Sequence, residues 1–139
     1  MKASARLVGP TLRSEVDISG RHAIVTDEPV RLGGTDKGPA PHELLPAAVA
    51  ACVSTTIAMY ARTKGWDLGE LIVDVDYDNE ATPRHLNVDV RLPDSLAPAQ
   101  VARLRRVADT CPIRRALEAG FEFQERLILE PRHVPNQAA

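Results

Sequence analysis

The chain has 139 residues, the size of one domain that can bury a core without disulfides or a structural metal. Seventeen basic against nineteen acidic residues leave a net charge of −2, so no overall field selects nucleic acid or an anionic membrane. Tyr60, Trp66, Tyr77, Phe121 and Phe123 are the whole aromatic content, too few for the stacking platforms of single-strand nucleic-acid binders, and the core must be aliphatic and alanine-rich.

In chain order, Ala5–Val8, Glu15–Ile18 and Arg21–Val25 read as short strands, with Ser19-Gly20 as a turn inside a meander. Met1–Arg13 carries charges throughout and has no apolar stretch of signal-peptide length, which predicts a cytoplasmic address. From Leu32 to Pro41 the glycines and prolines define a loop. It is not a phosphate loop, because Lys37 precedes the last glycine and no helix starts at the required place.

Pro41 and Glu43 suit the first turn of a helix, and Arg62, Lys64 and Gly65 suit its end. Its apolar positions wrap more than one stripe, so this helix is expected at the centre, buried on several sides. Its least polar run, Leu44–Tyr60, is expected to fall short of a membrane span. The alanines at 47, 48, 50, 51, 58 and 61 imply close passage of other backbones.

Leu71–Tyr77 and His85–Leu92 alternate as strands buried on one face, joined by a long loop through Pro83. A helix capped by Ser95 or Asp94 is predicted from Pro98 to Thr110, with Val101, Leu104, Val107 and Ala108 inward. Pro112 interrupts it, a short helix Ile113–Ala119 ends at Gly120, and a last strand is expected over Phe121–Leu129 before a frayed tail from Glu130. The fold class is α+β: a mainly antiparallel sheet packed on a long central alanine-rich helix, in a single domain over residues 1–139.

The chemistry centres on two cysteines. Cys52, among alanines in mid-helix, is either a small apolar filler or a thiolate nucleophile. The second role needs a nearby cation, for which Arg21, Arg31, Arg62, Arg114 and Arg115 are candidates. Cys111, before Pro112, is either a buried helix-end residue or a second thiol able to close a disulfide with Cys52. His42 and Glu43 at the helix start could orient a reacting group or simply cap the helix. His22, His42, His85 and His133 lack metal-ligand spacing, and no G-x-S-x-G elbow is present, so no metal or other cofactor is expected.

The stretch Gly33-Gly34-Thr-Asp-Lys-Gly-Pro-Ala-Pro-His-Glu-Leu-Leu-Pro-Ala-Ala-Val-Ala-Ala-Cys52, followed by Tyr60-Ala-Arg-Thr-Lys-Gly65 and by Cys111-Pro112, resembles the OsmC/Ohr superfamily of osmotically inducible and organic hydroperoxide resistance proteins, in particular its OsmC-like branch. The resemblance implies an oxidative-stress thiol peroxidase and an intertwined homodimer with the site at the subunit interface. By it, Cys52 attacks an organic hydroperoxide and becomes a sulfenic acid, Cys111 condenses with it to a disulfide, and an external dithiol or lipoyl-type reductant reopens the bridge. Relatives use an arginine to hold the thiolate and a glutamate to orient that arginine. Arg31 is the favoured arginine here, with Arg21 as the alternative; the glutamate position holds His42, and Glu43 follows one residue, about 100° of helix, later. Arg114 and Arg115 stand where the peroxidases have a small polar residue. The competing expectation is a non-catalytic dimer of the same fold that binds an apolar ligand, senses redox state or serves a larger enzyme.

Overall fold

A computed structural model describes residues 1–7 and 9–129. Strands β1 (Ala3–Leu7), β2 (Ser14–Ile18) and β3 (His22–Thr26) form the expected antiparallel meander, with Ala5 opposite Val16 and Val16 opposite Ile24. Alternation places Ala5, Leu7, Val16, Ile18 and Ile24 on one face of this sheet. Among the described residues no helix layer covers that face, and Leu7 is 60% exposed.

The loop after β3 is organised by a residue that composition did not single out. Asp27 is buried, and its carboxylate accepts hydrogen bonds from the backbone N–H groups of Glu28 (2.9 Å), Thr35 (3.1 Å) and Lys37 (3.1 Å) and from the Thr35 hydroxyl. The Thr35 hydroxyl, opposed by burial and joined by the three amides, holds the carboxyl below the usual carboxylate range. The chain closes so tightly that a Cβ at Gly34 would fall on the Glu28 carbonyl oxygen. Gly34→Ala is therefore expected to cost about 3 kcal/mol, since backbone rather than a pliant side chain must yield; a melting temperature equal to that of the unmodified protein would contradict this close approach.

A 3-10 turn at Pro41–Glu43 leads into α1 (Leu44–Lys64), and a Glu43 carboxylate oxygen accepts the Ala40 N–H at 2.8 Å. Gly65 ends the helix in the left-handed region at φ 66°, where its missing Cβ removes the usual penalty. With that turn the helical segment Pro41–Lys64 has 24 residues and is long and apolar enough to cross a membrane, more than the run read from the sequence. Its side chains at 49, 53, 57 and 61 nevertheless form one buried stripe, the i, i+4 spacing of a helix packed on a core. The expected burial on several sides is not seen: Ala47, Ala51, Thr55 and Ala58 are exposed, and Met59 is 66% exposed. Apolar composition fixes what a helix surface can bury but not whether the same protomer supplies a cover.

Strands β4 (Ile72–Asp78) and β5 (His85–Arg91) pair antiparallel, Val75 opposite Val88. Val73, Val75, Leu86, Val88 and Val90 pack on the core, while the aspartates at 74, 76, 78 and 89 point outward. Helix α2 (Pro98–Ala108) starts on Ala97, whose N–H donates to the Gln100 side chain at 2.8 Å, so neither Ser95 nor Asp94 caps it. Proline at the first helical position has no N–H to satisfy, which lets the helix begin there. Leu104 and Val107 are buried as expected, whereas Val101 is 40% exposed because it borders a cleft of about 370 Å³ toward β5.

Helix α3 (Pro112–Ala119) follows at once. The strand expected over residues 121–129 is not formed; Phe121 and Phe123 are 63% and 83% exposed, and Leu127 and Leu129 almost fully so. Alternation specifies which side chains would share a face, but a strand also needs a neighbour to take its N–H and C=O groups. The tail from Glu130 lies outside the described residues.

Candidate active site

Three local features bring the two cysteines together. Cys52 sits half-buried in mid-α1, one turn before Thr56. Helix α2 runs antiparallel alongside α1, tied to it by Arg103 Nε donating to Tyr60 Oη at 2.8 Å. Cys52 and Tyr60 lie eight positions apart, as do Arg103 and Cys111, so the second sulfur returns to the level of the first. After α2 the Cys111 N–H still bonds to the Ala108 carbonyl at 3.1 Å; Pro112 has no N–H to extend the ladder, and α3 starts afresh with Cys111 as its N-cap.

The first amides of α3 have no partner within the helix and carry its positive dipole end, so they face the sulfurs as donors. Burial pushes the Cys52 thiol up, but the Ile113 N–H, the Cys111 thiol and the Thr56 hydroxyl together bring it below the ordinary cysteine value. Thr56 also donates to the Cys52 carbonyl at 2.7 Å; its one proton serves the carbonyl beside a neutral thiol and can turn to the sulfur once it ionises. Cys111 is 0% exposed, and burial, with the neighbouring Cys52 sulfur, pushes its thiol up despite the Arg114 and Ile113 amides. Between the two values the proton stays on the buried Cys111 and the negative charge on the accessible Cys52. The rate of alkylation against pH is therefore expected to rise at lower pH for Cys52 than for a free cysteine and at higher pH for Cys111, with Thr56→Val moving the Cys52 inflection up; coincident inflections would contradict this division.

The other sequence candidates lie elsewhere in the protomer. Arg31 is exposed on a 3-10 turn (Val30–Leu32) and Arg21 follows β2, and neither is among the groups acting on Cys52. His42 and Glu43 border a shallow hollow with Pro46, Tyr77 and Asn79 near the start of α1. Glu43 lies nine residues before Cys52, about 13 Å along the helix. The Arg114 guanidinium is engaged in ion pairs with Asp109 (2.6 Å) and Glu118 (2.8 Å) and is not among the groups acting on Cys52. Sequence reading missed Thr56 and the α3 amides. The signals were there: Thr56 is four residues after Cys52, and a proline after Cys111 marks a helix start.

An α+β fold with a thiol pair between its long helix and an interhelical turn is the class of protein these features define. Residues 34–126 match the OsmC-like protein family, and the chain belongs to it. The fold agrees with solved structures of low identity. A Psychrobacter arcticus protein named for osmotic stress induction and a detoxification response is 23% identical, with 83% of this chain and 86% of that one covered and a TM-score of 0.69. An OsmC-like protein from Mycoplasma pneumoniae is 20% identical over 84% and 86%, with a TM-score of 0.68. An organic hydroperoxide resistance protein OsmC from Legionella pneumophila is 21% identical over 84% and 87%, with a TM-score of 0.58. None of the curated proteins matches the chain.

Proposed function

We propose that the protein is a cytoplasmic, cysteine-based peroxidase that reduces organic hydroperoxides to alcohols. The observation that carries this reading is the pairing of a half-buried Cys52 with a fully buried Cys111 at the same helix N-terminus, where donors hold the Cys52 thiol below the ordinary cysteine value and burial pushes the Cys111 thiol above it. The Cys52 thiolate attacks the terminal peroxide oxygen, the O–O bond breaks, and the alkoxide leaves and takes up a proton as the alcohol. The sulfenic acid then loses its hydroxyl, as water, to attack by the Cys111 sulfur, which gives up its proton and forms the disulfide. An external dithiol or lipoyl-type reductant returns both thiols by exchange and is itself oxidised to a disulfide. Hydroperoxide consumption with a dithiol, compared between the protein and Cys52→Ser, tests the reading.

The working unit in this reading is an intertwined homodimer, which gives the uncovered N-terminal sheet and the exposed flank of α1 a partner. It also supplies the missing guanidinium, since Arg31, or Arg21, of the second copy could reach Cys52. One observation favours a second reading, a non-catalytic binding, sensing or accessory dimer: among the described residues of the protomer no arginine acts on Cys52. Alkylation of Cys52 at the rate of a free thiol would support that second reading.

A further inference from the structure

Two turns along α1 from Cys52, three groups converge that the peroxidase chemistry does not use. Arg103 donates through Nε to the Tyr60 hydroxyl, and its guanidinium lies 5.2 Å from the centre of the Tyr60 ring. The Lys64 ammonium lies 5.8 Å from the same ring. Both cations are held against one phenol, so their attraction adds for an anion beside that ring. Among the described residues neither Arg103 nor Lys64 has a carboxylate partner, unlike Arg114, which is paired twice. With Nε engaged, the two terminal nitrogens of Arg103 remain as a fork suited to a carboxylate.

The placement of this cluster gives it a meaning. Cys52, Thr56 and Tyr60 follow one another at i, i+4 along the flank of α1 beside α2, and Met59 adds an exposed apolar side chain near its far end. The eight-residue spacing puts Tyr60, with Arg103 bonded to it, about 12 Å along α1 from Cys52. We propose that Arg103 and Lys64, gathered on Tyr60, form a subsite for the carboxylate of an amphipathic substrate whose hydroperoxide group reaches Cys52. This deepens the peroxidase reading and rests on it for the identity of the reacting end. An uncharged hydroperoxide would be handled by Cys52 alone, without help from the subsite.

Trp66 is the chain's one tryptophan, and its ring lies 5.8 Å from that of Tyr60, so its emission reports on the subsite without any turnover. Decanoate and decanol are titrated against the reduced protein. Decanoate is expected to bind about tenfold more tightly, the scale of a hydrogen-bonded charge. The preference should vanish in Arg103→Gln/Lys64→Gln and persist in Arg105→Gln, which removes a charge from the cleft toward β5 instead. In turnover, the kcat/KM ratio of a carboxylated over an uncharged alkyl hydroperoxide should fall toward one in the double variant through KM, with kcat retained. Equal binding of decanoate and decanol, or a preference that survives the double substitution, would overturn the subsite. If the unmodified protein consumes neither hydroperoxide, the peroxidase reading fails, while the decanoate titration still decides the subsite.

Discussion

Replacing Cys52 by serine is expected to bring hydroperoxide consumption down to the rate without protein, a loss on the order of a thousandfold or more, as removal of a nucleophile generally does. The size follows from ionisation. A serine hydroxyl needs a base to ionise it, and the groups that acidify Cys52 (the Ile113 N–H, the Cys111 thiol and the Thr56 hydroxyl) are donors, suited to a thiolate already formed rather than to removing a proton from an alcohol. Cys111→Ser should behave differently. It leaves the first attack intact, so one equivalent of peroxide is consumed quickly and further turnover slows to the rate at which the external thiol reaches the sulfenic acid. Peptide mapping after peroxide treatment should find the 52–111 bridge in the unmodified protein and none in either variant. Turnover unchanged in Cys52→Ser would sink the peroxidase reading; a normal steady state in Cys111→Ser would remove only the second thiol from it.

Much of this arrangement could be read from the chain because the features that set it are local. The strands 72–78 and 85–91 show strict alternation, and Gly65 and Gly120 stand where helices end, so element type and inward face follow from periodicity and caps. Cys52 and Cys111 stood out as an unusual pair, but their contact depends on α2 returning antiparallel to α1, a relation between elements 43 to 59 positions apart that no local pattern encodes. The Asp27 cluster was illegible for a related reason: one carboxylate gathers amides from positions 28, 35 and 37, and only the closed loop brings them together. Periodicity failed over 121–129, where the pattern of a strand is present without a partner edge. It failed likewise on α1, where alanines promised a close neighbour that the described residues do not supply.

Those two failures point to the same remedy, and it makes the second large prediction: the protein runs in solution at twice its 15.1 kDa chain mass. Leu7 at 60% exposure, Phe121 at 63% and Phe123 at 83% are apolar surface of the kind that a soluble chain seldom leaves bare, and among the described residues nothing covers the apolar face of the meander. On the exposed flank of α1, Ala47, Ala51 and Ala58 present almost no side chain, which allows a second helix close approach. An arginine at position 58 would have to be buried there without a carboxylate, a cost of several kcal/mol. Ala58→Arg is therefore expected to shift sedimentation at micromolar concentration from dimer to monomer while leaving the helical circular dichroism of the protomer in place. If a guanidinium of the second copy completes the thiolate site, peroxide turnover falls with the dimer, and Arg31→Gln lowers it further than Arg21→Gln in a protein that remains dimeric. A monomeric unmodified protein, or an Ala58→Arg dimer as tight as the original, would remove both the homodimer and the borrowed arginine, and Cys52 would then depend on the α3 amides and Thr56 for its activation.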